Sequence, residues 1–301
     1  MATNYMGHPY SYTNGPGSWW HRERHTYALG WNDAVFGGGR AVTDVVGVDY
    51  YPLDGVRAGI TDTMHRLGTV LDTIRDENLG LLPVFSYVET ADAGNTGGTG
   101  HPTPWKPTPA QLRMITWFNV AHEAKGIDWF HYFSGGQGYS TPPEDLVELA
   151  TFTRQIGELS PAVLGPRTGR TVTVAASGGG RVDTLLRRHQ GRWLLIAVRV
   201  SEFAYQDATA TTPPPPAQPD PITVQLSIDG APLEDAAAEV YEEGRTVQVS
   251  GGTLTDTFAP YAVHIYWIRR SVTATPRACY CPVRLPPSPR PSITSVSRRT
   301  K

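Results

Sequence analysis

Thr43-Asp-Val-Val-Gly-Val-Asp-Tyr-Tyr51 is a near-continuous apolar run closed by Pro52. A strand with one wet face would alternate apolar and polar residues. This run does not, so it predicts a strand buried on both faces, as in a parallel sheet covered by helices.

The flanking sequence carries the same message. Met64, Leu67, Leu71 and Ile74 recur at helical spacing, and Leu81-Leu-Pro-Val-Phe-Ser-Tyr-Val88 predicts the next strand. Pro83 sits near its start, where a missing N–H is tolerated. The Gly/Pro/Thr-rich stretch from Asp92 to Pro107 is long for a strand-to-helix loop, which marks it as functional. Thr108-Pro109-Ala110-Gln111 is a capping box with proline in the first turn. The helix it opens continues through Leu112, Ile115, Phe118 and His122 and stops at Gly126. Ile127-Asp-Trp-Phe-His-Tyr-Phe133 predicts a third strand, and Pro143-Glu-Asp a last helix ended by Ser160-Pro161. Strands alternating with helices over 42–160 predict βα units.

Past Gly165-Pro166 the texture becomes all-β. Short runs at 171–175, 181–187, 192–200, 222–228, 238–241, 245–249 and 261–268 are separated by turns such as Ser177-Gly-Gly-Gly180, and they predict an antiparallel β-sandwich.

Composition narrows the partners. Hydrophobic residues make up 40% and charged residues 18% of 301, which suits a sizeable core. Eight of the 26 Lys+Arg fall in residues 269–301, which hold no Asp or Glu. The remaining 18 face 28 acids, a net of −10, and an acidic body argues against a nucleic-acid partner. No run of about 18 apolar residues offers a membrane span. The first residues lack the pattern of a signal peptide, and compartment and oligomeric state stay open. Cys279 and Cys281 are too few for a zinc site, and no metal or cofactor is expected. His122-Glu123 lacks the second histidine of a zinc-protease motif.

Four pieces in order carry a family resemblance: Thr3-Asn-Tyr-Met-Gly7, Val45-Val-Gly-Val-Asp-Tyr-Tyr-Pro52, Pro83-Val-Phe-Ser-Tyr-Val-Glu89, and Ala121-His-Glu-Ala-Lys-Gly-Ile-Asp-Trp-Phe-His-Tyr-Phe133. The series resembles barrel strands five to eight of clan A glycoside hydrolases, and is similar to family 42 β-galactosidases and their uncharacterised relatives. The resemblance implies an α/β fold, the C-terminal half of a (β/α)₈ barrel over 1–165, followed by an antiparallel β-sandwich over 166–268. Residues 269–301, with six prolines and eight basic residues, are expected to be a disordered tail.

It also implies a retaining glycosidase acting on a β-linked carbohydrate, with Glu89 as nucleophile because it ends the matching strand. Barrel active sites sit at the C-terminal ends of strands, and a retaining enzyme needs a carboxylate there. Asp49 and Tyr50 end the preceding strand and are expected to bind sugar hydroxyls or orient Glu89; Asp49 could instead only tie down the Tyr51-Pro52 turn. Trp129 and His131 on the last strand and Trp105 in the long loop are the expected aromatic and polar walls, as are Trp19, Trp20 and Trp31, with core filling as the alternative. Clan A enzymes carry their acid/base glutamate after an asparagine at strand four, and residues 1–165 contain no Asn-Glu pair. The expectation is a truncated glycosidase, inactive alone for want of that acid. A non-catalytic carbohydrate-binding or structural protein is the alternative.

Overall fold

The apolar run around Gly47 forms strand β2 (Val45–Asp49), between β1 (Ala2–Met6) and β3 (Val84–Glu89). The computed structural model describes residues 2–6, 45–57, 60–77, 80–90, 107–130, 133–134, 139–140, 143–204, 213–229 and 236–269. A fourth strand, β4 (Gly126–Phe130), completes an all-parallel sheet in the order β1-β2-β3-β4. The third predicted strand therefore ends at Phe130. Phe133–Ser134 (β5) leaves the sheet and pairs antiparallel with Tyr139–Ser140 (β6).

The connecting helices are α1 (Pro52–Arg57), α2 (Thr63–Glu77), α3 (Pro109–Ala121) and α4 (Pro143–Val163). Thr108 caps α3 as its sequence requires: Gln111 N–H donates to Thr108 Oγ1 (3.3 Å), and Thr108 N–H to Gln111 Oε1 (2.8 Å). α4 runs past Ser160-Pro161 to Val163, because the Gly157 carbonyl that loses the Pro161 N–H accepts Ser160 Oγ instead (3.3 Å).

Strand alternation divides the parallel sheet into two faces. Val46, Val48, Val84 and Val88 are buried in one core with Met64, Leu67, Leu112, Ile115 and Phe118 of the helices. The register puts Gly47, Asp49, Phe85, Tyr87, Glu89, Asp128 and Phe130 on the other face. Gly126 belongs there too, since a Cβ would fall 2.7 Å from the Phe85 ring carbons.

Eight further strands form one antiparallel sheet in the order β7-β10-β13-β12-β11-β14-β9-β8. They are β7 (Val172–Ala176), β8 (Arg181–His189), β9 (Arg192–Val200), β10 (Ile222–Ile228), β11 (Ala236–Val240), β12 (Arg245–Ser250), β13 (Thr253–Phe258) and β14 (Val263–Arg269). The expected antiparallel pairing is present, although all eight strands share one hydrogen-bonded sheet where two stacked sheets were expected. The edge strands β7 and β8 are neighbours in the chain, joined by a turn over Ser177–Gly179 with Gly178 at φ 63°. The sheet therefore rolls around its own core, which includes Trp193, Leu195, Val224, Leu226, Phe258 and Tyr266.

β13 escapes the sequence reading because Asp256 interrupts its inward row of Leu254 and Phe258. Arg245 (2.9 and 3.0 Å) and the Tyr266 hydroxyl (2.8 Å) satisfy that carboxylate.

β9 is buried on both faces. Trp193, Leu195 and Ala197 face the rolled sheet's core, while Leu194, Ile196 and Val198 pack into the core of the helices. Polar ties cross the same seam. Glu202 accepts the Met64 and His65 N–H groups at the start of α2 (3.0 and 2.8 Å). His122 lies between Asp72 (Nδ1, 3.0 Å) and Asp183 (Nε2, 2.9 Å). Residues 1–270 make one compact unit. Among the described residues no helix is long and apolar enough to cross a membrane, and no group of three His, Cys, Asp or Glu is placed to hold a metal ion.

Candidate functional site

Parallel strands bring their C-terminal ends to one rim, and here β2 delivers Asp49, β3 delivers Glu89 and β4 delivers Phe130. Asp49 pairs in register with Tyr87, and Glu89 with Phe130. Odd-numbered residues of β2 and β3 and even-numbered residues of β4 therefore share one face at that rim.

What fixes Glu89 is the turn after β2. Pro52 opens α1 with its constrained φ, and the next residue directs a helix-terminal N–H at the carboxylate. Leu53 N–H donates to Glu89 Oε1 at 2.6 Å, and Glu89 is only 2% exposed. Burial of an anion demands such a partner.

Tyr51 occupies the same corner. Its hydroxyl bonds Asp49, and its ring stacks on Phe130 with centroids 5.5 Å apart and planes 24° apart. Burial, the Asp49 hydrogen bond and the negative charges of Asp49 and Glu89 push the phenol well above its ordinary pKa. It stays a neutral donor across the whole physiological range. The corner thus holds two carboxylates, one phenol and an aromatic stack, all on the face of the sheet opposite the helix-side core.

The other expected residues fare differently. Tyr50 has the parity of Val46 and Val48, so it enters the helix-side core, where it is 2% exposed; the phenol beside Asp49 is its neighbour Tyr51. Trp129 pairs with Val88 in register and also turns to the helix side, edge-on to Phe152 at 5.7 Å. It is separated by the sheet from Glu89, and only core filling matches that placement. Trp105, His131, Trp19, Trp20, Trp31, Cys279, Cys281 and the expected tail over 269–301, apart from Arg269 at the end of β14, lie outside the described residues. The sequence reading missed Tyr51 and the helix at Pro52–Arg57. Strand parity (Asp49 and Tyr51 differ by two) and proline at a helix's first position were the available signals.

No family model matches this sequence, and no curated protein matches it. Several solved structures are similar at low identity. An α-amylase from Geobacillus thermoleovorans complexed with acarbose aligns at TM-score 0.44 and 13% identity, over 75% of this chain and 54% of its own. AmyP in complex with maltose aligns at TM-score 0.44 and 11% identity, over 86% of this chain and 71% of its own. A GH30 endoxylanase from Clostridium papyrosolvens aligns at TM-score 0.31 and 10% identity, over 83% and 72%. The chain spans about half the length of the first of these amylases. Likeness at these identities and TM-scores assigns neither a residue nor a substrate.

Proposed function

We propose that this chain carries the nucleophile corner of a retaining, β-galactosidase-like glycoside hydrolase, with residues 1–165 as its partial barrel and residues 166–268 as an accompanying β-domain. Glu89 is the nucleophile in this reading, and the substrate is a β-linked carbohydrate. The supporting observation is the Glu89 carboxylate at the end of a parallel strand, beside Asp49 and the Tyr51–Phe130 stack and held by Leu53 N–H. A Glu89 oxygen would attack the anomeric carbon as the bond to the leaving oxygen breaks, and water would then release the sugar from the ester. The leaving oxygen needs a proton, and no residue here is assigned as its donor. Hydrolysis of substrates with poor leaving groups is therefore expected to be negligible in this chain alone.

A second reading, a non-catalytic carbohydrate-binding or structural protein, is favoured by one observation: at 2% exposure, with an N–H on Oε1, Glu89 also meets every need of a buried helix cap.

The experiment is covalent trapping. A 2-deoxy-2-fluoro glycoside with a dinitrophenolate leaving group requires no acid. Mass spectrometry should find one added sugar on the peptide containing Glu89. An unlabelled chain after prolonged incubation would favour the second reading.

A further inference from the structure

At the opposite end of the parallel sheet, where β3 and β4 begin, lies an open depression of about 740 Å³. It is set back from Glu89 by most of β3, about 17 Å at strand rise. Four cations line it, Arg75, Lys125, Arg167 and Arg187, against two acids, Asp76 and Glu123.

The acids are already engaged. Glu123 is shared by Arg167 and the buried Arg187, Asp76 accepts from Arg75 Nε at 3.0 Å, and a third acid, Asp72, accepts from Arg75 Nη1 at 2.7 Å and is shared with His122. That leaves Lys125 in excess. Its backbone N–H pairs with the Val84 carbonyl (2.8 Å), which pins the residue at the strand start. Desolvation is the main reason its pKa is lowered; Glu123 opposes that shift, and the cations Arg187, Arg167 and Arg75 add to it. The carbonyl ends of α2 and α3 weaken the positive field at this rim. The surplus stands out on a body that is acidic outside its last residues.

We propose that this depression binds a small, doubly charged tetrahedral oxyanion, a phosphate or sulfate group, between Lys125 and Arg167. Such an anion would supply acceptor oxygens to the Lys125 ammonium and to the exposed guanidinium edge of Arg167. Arg167 holds Glu123 through Nε and Nη2, and its side chain is 62% exposed, which leaves Nη1 as the edge that meets the anion. The proposal is independent of any role for Glu89.

The test is calorimetric titration of the full chain with inorganic phosphate and, separately, with sulfate, at ionic strength held constant with sodium chloride. One saturable site is expected, with the tighter of the two anions naming the group. Lys125→Met and Arg167→Met should each weaken binding at least tenfold, and Lys125→Arg should restore it. Arg154→Met, which removes an exposed, carboxylate-paired arginine on α4, should leave it unchanged. Unaltered melting of Lys125→Met would show that the fold survives. Absence of saturable heat with both anions, or equal affinity in Lys125→Met, would overturn the proposal.

Discussion

Leu53 N–H reaches across 36 residues of sequence to donate to Glu89 Oε1 at 2.6 Å, tying the first turn of α1 to the end of β3. One hydrogen bond thus joins the turn after one strand to the rim of the next, and makes the carboxylate part of the sheet's own architecture.

Glu89→Gln keeps an acceptor oxygen and loses the charge assistance, so it should cost about 1 kcal/mol. Glu89→Leu leaves Leu53 N–H buried without an acceptor and should cost about 2–3 kcal/mol. Urea unfolding of both variants checks the order. Equal stability of Glu89→Leu and the natural chain would show that this bond contributes nothing.

His122 supplies a pH dependence. Burial opposes its protonation, and the Asp183 and Asp72 carboxylates outweigh burial, so its pKa lies above 6.5 in the folded chain. A raised folded pKa gives stability that is full below the unfolded value and fades as pH rises through the folded one. The melting temperature lost on His122→Gln should therefore be larger at pH 6 than at pH 9. A difference independent of pH would contradict the assignment.

Glu123 supplies the opposite dependence. Burial raises its pKa, yet Arg167 and Arg187 overcome that and bring it down to about 2. Its contribution is present above the ordinary carboxylate value of 4.5 and is lost as pH falls toward 2. Because Arg187 is 4% exposed, Glu123→Gln leaves a buried guanidinium poorly compensated, at a cost of about 3 kcal/mol. Denaturation at pH 7 and pH 3 should show that penalty shrinking with acid. Glu123 also adopts φ 69°, so Glu123→Gly relieves backbone strain while deleting the pair; destabilisation by Glu123→Gly as well would show that the ion pair outweighs the strain.

Tyr51→Phe removes the hydroxyl on Asp49 and keeps the stack on Phe130. A stability loss of about 1 kcal/mol is expected. Turnover of an activated glycoside should fall roughly tenfold, since one hydrogen bond to the corner is worth about one such factor. Tyr50→Phe, altering a core residue on the opposite face, should leave that turnover within twofold.

Much of the parallel half was legible because its signals are local. The Val45–Asp49 run, the helical stripe of Met64 to Ile74 and the Thr108–Gln111 box each dictate one conformation by themselves. Glu89 at a strand end was legible for the same reason. Which of Tyr50 and Tyr51 faces the rim was decided by parity carried past the strand into Pro52, and Trp129 by its register with Val88, a pairing between strands distant in sequence. The single rolled sheet was hidden for a related reason. Its closure depends on β7 and β8 standing at opposite ends of the strand order, which no local pattern encodes. β13 was hidden by Asp256, whose partners Arg245 and Tyr266 lie on other strands.

The most direct measurement of the nucleophile assignment is hydrolysis of a 2,4-dinitrophenyl β-galactoside by the natural chain, Glu89→Gln and Glu89→Ala, with and without azide. This leaving group departs unprotonated, so the bond-breaking first step depends on the nucleophile and needs no acid. Slow but measurable release of dinitrophenolate by the natural chain and a loss of at least 10²-fold in both variants follow from a Glu89 nucleophile. Azide should restore release in Glu89→Ala, where it replaces the missing carboxylate, with an α-glycosyl azide as product. Release that is the same in all three proteins and insensitive to azide would contradict that assignment.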